Sequence, residues 1–394
     1  MDIFDSIDDE TIEEDDIVLN YLESERRERV IRERPDNMSL WDDKKFHRRF
    51  RLEKSTVQFL LTLIESKIAN VTNRNNSVPA LQQLLLTLRF YACGSFYITI
   101  GDFAGIHNST ASKIIRKVTE AIASLRQEFV TLPATATSSG CVKWVLFGGR
   151  HTNPYLPSWS KVASFYGNRE EILLVQEGFF NIARFPRVIA ALDCTHIKII
   201  SPGGNTAEDY RNRKGFFSLN VQAMCTSDLK FEDIVTRWPG STHDSLIFSN
   251  SAAKFQFDTN RFQNGLVLGD SGYFLNHYLL TPLSDPRTEA ERLYNESHIR
   301  TRNVIERCFG VWKRRFPVLS IGMRCRIPLA QDIIVATAIL HNLARIRNES
   351  EPPVDPEVHI PQQPQFETLI ADQPGHQHNS TRDSMLEYFE SLIN

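Results

Sequence analysis

The pattern of apolar and polar positions predicts that the first third of the chain is helical. Apolar side chains recur every three to four residues, as in helices with one buried face, over 51–68, 80–92, 99–106 and 109–125. Only a short turn separates the last two segments. A short helix, a tight turn and a longer helix are typical of a helix-turn-helix. Residues 45–130 are therefore predicted to be a helical DNA-binding region, although many three-helix bundles share the pattern.

The longer helix of this pair has a polar face opposite its apolar stripe. The side chains predicted to contact nucleic acid are Ser109, Ser112, Lys113, Arg116 and Lys117. Lysine and arginine contact phosphates, and hydroxyl groups near the start of a recognition helix can reach base edges. Asn108 or Ser109 is expected to be the N-cap.

Strand patterns replace helical ones from residue 188 onward. Apolar runs or alternating residues predict strands over 188–192, 196–200, 216–225, 231–238 and 266–270. Helices are predicted before them over 170–182 and after them over 288–316 and 333–346. Apolar strands flanked by helices indicate an α/β fold with a sheet covered on both faces. We assign this fold to residues 169–347.

The remaining segments lack this regularity. Residues 1–44 and 348–394 are predicted to be disordered arms because they are polar and have no sustained apolar stripe. Within them, 21–34 fits a solvated helix or a linker, and 383–392 fits a short helix or docking segment. Residues 131–168, rich in Gly, Pro and Ser, are predicted to be an irregular insertion or lid, with retained intron sequence as the alternative. No apolar run reaches the ~18 residues of a membrane span.

Charge is distributed unevenly along the chain. The net charge is −3, but residues 1–20 and 348–394 each hold nine acidic side chains, with Arg382 as the one basic residue. Residues 21–347 therefore have a net charge of +14. A basic body between acidic ends favours a polyanion such as DNA as partner. Six cysteines without a C-x-x-C pair favour reduced thiols inside the cell.

Acidic side chains follow two apolar strands and recur on the long helix. Asp193 and Asp270 end predicted strands, and Glu306 lies at the edge of the apolar stripe of the 288–316 helix. We expect the aspartates to end adjacent strands and Glu306 to reach them. Asp244, in the first turn of a short helix, is either a fourth member or a residue favoured by the helix dipole. A single strand-end aspartate is ordinarily a turn former or a cap.

Converging carboxylates repel each other and take up protons unless a cation is present. Oxygen ligands without a His or Cys cluster favour Mg²⁺ or Mn²⁺. Two such ions can support in-line displacement at a phosphodiester. Arg213 and Lys214, after a Gly-rich turn, are candidate phosphate contacts, with a solvated loop as the alternative.

Five motifs in order resemble the PIF/Harbinger DDE transposases and the nucleases derived from them. They are Ala191-Leu-Asp-Cys-Thr-His-Ile197, Asn212-Arg-Lys-Gly215, Trp238-Pro-Gly-Ser-Thr-His-Asp244, Leu268-Gly-Asp-Ser-Gly-Tyr273 and Asn303-Val-Ile-Glu-Arg-Cys-Phe-Gly310. The ending Ala338-Ile-Leu-His-Asn342 also matches, so the resemblance covers residues 45–346.

The resemblance implies an RNase H-like mixed sheet preceded by the helix-turn-helix. It implies Asp193, Asp270 and Glu306 as the catalytic acidic triad, with Asp244 at a position associated with divalent metal. It also implies a Myb-like DNA-binding partner that aids nuclear entry, hence a nuclear and also cytoplasmic location. A homo-oligomer is left open, as is the choice between a mobile-element and a host protein.

The sequence thus favours a divalent-metal-dependent DNA endonuclease. Two alternatives stay open. One is a non-catalytic DNA-binding or adaptor protein that keeps the fold without the reaction. The other is a metal-dependent phosphatase acting on small esters, which the basic body and the helix-turn-helix pattern disfavour.

Overall fold

A computed structural model describes residues 34–70, 77–132, 142–146, 159–163, 169–353 and 379–394. Of the disordered arm predicted over 1–44, residues 1–33 lie outside these ranges. The prediction is wrong for residues 37–40 and 43–44, which are helical. Most of the predicted insertion also lies outside them.

Seven helices form the described N-terminal part. They are α1 (Asn37–Leu40), α2 (Asp43–Phe50), α3 (Lys54–Ile68), α4 (Ala80–Cys93), α5 (Tyr97–Ala104), α6 (Asn108–Ala123) and α7 (Arg126–Phe129). The side chains of Asp36 and Asp42 cap α1 and α2. Gly94 and Gly105 end α4 and α5 with φ of 60° and 65°, a left-handed conformation that favours glycine. The helices predicted from periodicity are all present.

The start of α6 differs from the prediction. His107, rather than Asn108 or Ser109, is its N-cap, and its Nδ1 accepts a hydrogen bond from the Ser109 N–H at 3.3 Å. The helix therefore begins one residue earlier, because the His107 imidazole can satisfy a free backbone donor of the first turn.

Two sheets follow in the chain. The strands β1 (Val142–Leu146) and β2 (Trp159–Ala163), within the predicted insertion, pair antiparallel. After α8 (Arg169–Ala183) come β3 (Val188–Lys198), β4 (Ser218–Cys225), β5 (Phe231–Pro239), α9 (Asp244–Ser249), α10 (Ala252–Asp258), β6 (Leu266–Leu268) and β7 (Leu279–Leu280). The last five strands form a mixed sheet in the order β5-β4-β3-β6-β7. In it β3, β4 and β5 are antiparallel neighbours, and β6 and β7 run parallel to β3.

One strand replaces the two predicted over 188–192 and 196–200. β3 is continuous because β4 pairs with it from Ala191 to Lys198. Its parallel partner β6 ends earlier, at the pair Ala191↔Leu268. Asp193 therefore lies within β3, just past the end of its parallel partner, and not at a strand end as predicted.

Three helices follow the sheet without interruption: α11 (Glu289–Arg315), α12 (Val318–Ile321) and α13 (Ile327–Ile346). Thr288 and Glu291 form a capping box at the start of α11. α13 is long and apolar enough to cross a membrane by length and composition, but 78% of its apolar window is buried inside the protein. Such burial is typical of a core helix.

The core has two apolar clusters, one on each face of the sheet. One joins the N-terminal helices, α11 and α13 to residues such as Ala191 and Ile197. The other packs α9 and α10 against residues such as Leu192 and Met224. The helical part and the α/β part thus share one continuous core through the first cluster.

The last described element is α14 (Ser380–Ser391). It packs on α11, and its Phe389 is 1% exposed. The prediction of a disordered tail is therefore wrong for this segment, and the docking segment considered for 383–392 is present. Apolar residues too sparse to suggest a core helix suffice here because α11 supplies the opposite surface.

Candidate functional site

Asp193, within β3, and Asp270, just after β6, lie level with each other. Because Ala191 pairs with Leu268, Asp193 and Asp270 each follow a matched pair by two residues. Asp193 is 6% exposed, and its Oδ1 accepts from the Cys194 N–H at 2.7 Å. Asp270 follows β6, and its Oδ1 accepts from the Gly272 N–H at 3.0 Å. Both carboxylates lie at this edge because β6 ends here while β3 continues.

Glu306, on α11, is linked to Asp193 by an arginine of the same helix. Arg302 lies one helical turn before Glu306, on the same face. It donates from Nη1 to Asp193 Oδ2 at 3.1 Å and from Nη2 to Glu306 Oε1 at 2.6 Å. One guanidinium therefore bridges a strand carboxylate and a helix carboxylate. No role was predicted for Arg302 from the sequence, although its position one helical turn before Glu306 indicated that the two side chains share a helix face.

Asp244 joins the group from α9, where it is the first helical residue. Asn220 on β4 donates from Nδ2 to Asp244 Oδ1 and to the Thr242 carbonyl, both at 2.8 Å. Asn220 is buried, and its Oδ1 has no hydrogen-bond partner among the described residues. Sequence reasoning missed Asn220, because an asparagine inside a strand carries no distinguishing pattern.

Burial and mutual repulsion raise the pKa values of the two strand aspartates. Burial first, and then the charges of Asp270 and Asp244, raise the pKa of Asp193 to about 8, and Arg302 opposes this rise. Burial also raises the pKa of Asp270, with Asp244 as the next cause. The site therefore holds more negative charge than Arg302 neutralises, and it favours an added proton or cation.

The donor chemistry fits a hard divalent cation. All four acids offer carboxylate oxygens, and the free Oδ1 of Asn220 lies beside Asp244, as Mg²⁺ and Mn²⁺ prefer. Within the described ranges, however, no three His, Cys, Asp or Glu side chains already form a metal site. Arg302 holds Asp193 and Glu306 instead. The backbone positions of the four acids suit a bound ion, but the side chains of Asp193 and Glu306 must turn away from Arg302 to bind it.

The predicted contacts on α6 differ in their surroundings. Ser109, Lys113 and Arg116 are exposed and Ser112 is half-buried. Lys117 donates from Nζ to the Ile68 carbonyl at 2.6 Å, so it caps the end of α3.

The loop bearing Arg213 and Lys214 lies beside the acidic group. Arg213 Nη2 donates to His243 Nδ1 at 2.9 Å, and His243 directly precedes Asp244. The Lys214 N–H donates to Oδ1 of the buried Asn212 at 2.9 Å. Both predicted phosphate contacts therefore belong to a loop of fixed position next to the site.

Comparison with known proteins matches the same region. Residues 192–342 match the family model of the DDE superfamily endonucleases. A rat protein named "Putative nuclease HARBI1" is 31% identical over 294 residues, covering 73% of this chain and 74% of its own length. The human protein of that name is 30% identical with the same coverage. The chain belongs to the Harbinger transposase-derived nuclease family.

A more distant relative is a plant protein. The Arabidopsis protein named Antagonist of Like Heterochromatin Protein 1 is 22% identical over 328 residues, covering 77% of this chain and 73% of its own length. No solved structure matches the chain significantly. The family region contains all four site carboxylates as well as Arg302 and Asn220.

Proposed function

We propose that the protein is a divalent-metal-dependent DNA endonuclease with Asp193, Asp270 and Glu306 as its catalytic acids and Asp244 as a further metal ligand. The observation that carries the proposal is the level placement of Asp193 within β3 and Asp270 just after β6, with Glu306 linked to Asp193 through Arg302. Membership of a family of DDE endonucleases supports it.

Mg²⁺ or Mn²⁺ would supply Lewis-acid stabilisation of the phosphodiester oxygens and an activated water. The chain's own residues do the rest. Asp193, buried within β3, and Asp270, just after β6, provide carboxylates at fixed positions, and Asn220 orients Asp244. Arg213 and Lys214 offer positive charge to the DNA backbone.

We further propose an RNase H-like sheet, which the order β5-β4-β3-β6-β7 supports. Helices α5 and α6 would act as a helix-turn-helix, with Ser109, Ser112, Lys113 and Arg116 facing DNA. Lys117 would contribute least to DNA binding, because its ammonium group already donates to the Ile68 carbonyl at the end of α3. A Myb-like partner protein, a nuclear location and self-association also remain proposals.

A plasmid-nicking assay tests the central proposal. The wild-type protein should nick supercoiled DNA in Mg²⁺ or Mn²⁺ and stop when the ion is chelated. Asp193→Asn and Glu306→Gln should each lower the rate by at least about a hundredfold, since they remove proposed metal ligands. Asp285→Asn, which changes an exposed aspartate paired with Arg287, is the matched control. Equal nicking by all four proteins would refute the assignment.

The second candidate is a DNA-binding or adaptor protein without catalysis. The name of the Arabidopsis relative, an antagonist of a heterochromatin protein, favours it. DNA binding that survives Asp193→Asn, together with absent metal uptake and absent nicking by the wild-type protein, would support this alternative.

A further inference from the structure

An exposed apolar surface lies where the helical part meets the α/β part. Phe96, just before α5, and Ile321, at the end of α12, are 55% and 52% exposed. Ile321 packs at the turn after α4, since a Cβ at Gly94 would lie 3.2 Å from its Cδ1. Ile200, which follows β3 and is also exposed, donates its N–H to the Met323 carbonyl at 3.0 Å. We call Phe96, Ile200 and Ile321 the apolar patch.

Basic side chains border the apolar patch. The Arg324 guanidinium lies over the Phe96 ring, 4.1 Å from its centroid. The stem of Lys198 lies against the glycine that follows α12. Burial raises the pKa of Cys325 to about 12 against the opposing positive charge of Arg116, which places this arginine of α6 near the same segment. Lys198, Arg116 and Arg324 are exposed, and none of them takes part in an ion pair within the described ranges.

An apolar surface with a basic border fits a partner that is both apolar and acidic. A phosphate backbone would pair with the basic groups but leave Phe96 and Ile321 uncovered, and contiguous exposed apolar surface is typical of a protein-interaction site. Residues 1–20, which we call the acidic arm, have nine acidic side chains and no lysine or arginine. The apolar residues among these acids are Ile3, Phe4, Ile7, Ile12, Ile17, Val18 and Leu19. The acidic arm therefore matches the patch in both charge and apolar character.

The described part of the chain begins close to the patch. Arg34 and Pro35 line a small cleft together with Phe103 and Ala104, at the end of α5. Because α5 has eight residues, about 12 Å separate this cleft from Phe96 at the other end of the helix. The acidic arm thus precedes a point that lies one short helix away from the patch.

The connection between the arm and this point is long enough for docking. Residues 21–33 span at most about 45 Å when extended, several times the length of α5. A short tether gives an effective concentration of about 1 mM, at which a contact with a Kd of about 0.1 mM is about nine-tenths occupied. The segment 354–378 matches the basic border less well, because it holds four acidic side chains in 25 residues.

We propose that the acidic arm docks on the apolar patch and its basic border, and that it thereby competes with DNA for the exposed face of α6. The docking follows from the apolar surface and the charge around Phe96 and Arg324. The competition rests in addition on the proposed DNA contacts of α6, because Arg116 belongs to both the border and that face. DNA must therefore displace the arm in order to bind.

The first test locates the arm in the full-length protein. A benzophenone amino acid replaces Phe4, and irradiation crosslinks it to the residues it contacts. The crosslinks should map to residues 94–98 and 320–326 of the same chain. A mixture of isotope-labelled and unlabelled protein separates contacts within one chain from contacts between two copies. Crosslinks only to other surfaces, only between copies, or none at all would overturn the docking.

The second test measures the affinity for a short DNA duplex by fluorescence anisotropy in Ca²⁺. Phe96→Ser/Ile321→Ser removes apolar surface without changing charge. It should bind DNA roughly tenfold more tightly than the wild-type protein, because the arm no longer occupies about nine-tenths of the molecules. Converting the four acids of residues 13–16 to their amides should give a similar gain. Phe255→Ser is the matched control, since it removes an exposed ring of α10 and should leave the affinity unchanged.

The combination of both changes distinguishes docking from long-range repulsion. The combined variant should bind DNA no more tightly than either variant alone, because each change already releases the arm. Gains that multiply, or an unchanged affinity in the patch variant, would overturn the proposal. Crosslinks at the patch without any DNA binding would refute the competition and the proposed DNA substrate while keeping the docking.

Discussion

At the scale of single residues, the charge balance of the site depends on Arg302. Its guanidinium is the positive group that contacts both Asp193 and Glu306. Burial lowers the pKa of Arg302, but Asp193 and Glu306 outweigh this effect and raise it overall. Arg302 therefore stays charged and offsets part of the cost of a buried aspartate.

Replacing Arg302 with methionine should destabilise the metal-free protein in a pH-dependent way. Asp193 has a raised pKa of about 8, so stability falls as pH rises from the ordinary aspartate pKa through this value. The free energy of unfolding of Arg302→Met should be lower than that of the wild-type protein by about 3 kcal/mol at pH 9, and by much less at pH 6. Urea unfolding at both pH values measures it.

Mg²⁺ should restore more stability to Arg302→Met than to wild type, because the ion supplies the missing positive charge. Arg300→Met is the control, since Arg300 is an exposed arginine of α11 paired with Glu296. A loss that is the same at pH 6 and pH 9, or unaffected by Mg²⁺, would contradict this role of Arg302.

His341 should make the fold sensitive to acid. It is fully buried, its Nε2 lies 2.7 Å from the Leu229 carbonyl, and burial lowers its pKa to about 3. Below pH 6.5 the unfolded chain binds a proton at this histidine that the folded protein excludes. Each pH unit therefore costs about 1.4 kcal/mol of stability.

Glutamine at position 341 can still donate to Leu229 but does not titrate. His341→Gln should be less stable than wild type at pH 7, and the difference should shrink by about 2 kcal/mol by pH 5. Urea midpoints at the two pH values measure it. A constant difference would show that the pKa of His341 is the same in the folded protein as in the unfolded chain.

At the scale of elements, α11 organises the protein because both β3 and α14 pack on it. Its middle carries Arg302 and Glu306 along β3. Its first half receives α14, where Phe389 lies 5.5 Å from the ring of Phe185 and 5.9 Å from that of Tyr294. The docked helix therefore covers the part of α11 that precedes the site.

Phe389→Ala should release α14 from α11. Removing a buried aromatic ring costs about 3 kcal/mol, and Phe389 is one of the two buried residues of α14, the other being Met385. Hydrogen exchange should speed up over 380–391 while the sheet stays protected. Leu392→Ala, at a position that is 51% exposed, is the control and should change nothing. Slow exchange in both variants would mean that other contacts hold α14.

At the scale of the whole molecule, a buried ion pair joins three distant segments. Arg315, at the end of α11, contacts Glu349 at 3.3 Å and donates to the Arg51 carbonyl at 3.0 Å. Glu349 also accepts from the Glu53 N–H at 3.1 Å, at the start of α3. The helical part and the α/β part are thus connected by charge as well as by their shared core.

Glu349→Gln should lower stability by about 3–5 kcal/mol, because it leaves the Arg315 charge buried without its partner. The double variant Arg315→Met/Glu349→Met should lose less than Glu349→Gln alone, since neither charge remains. Thermal unfolding of the three proteins tests this. Two separate transitions in the wild-type protein would show that the two parts unfold independently.

The sequence determined much of this protein by itself. Apolar periodicity predicted α3 to α6 of the N-terminal part, α8, α11 and most of the sheet, because a buried face leaves its period in the chain. The ordered motifs gave the family. The three acids became candidates because they follow apolar strands or lie beside an apolar stripe, where a charged side chain is costly.

Tertiary structure decided the rest. β3 is one strand because β4, distant in sequence, pairs across the position of Asp193. Arg302 and Asn220 acquire roles only from the groups that surround them, and α14 is stable only because α11 is its partner. Local sequence patterns indicate burial and backbone preference. They do not indicate which distant charge, strand edge or apolar surface completes the environment of a residue.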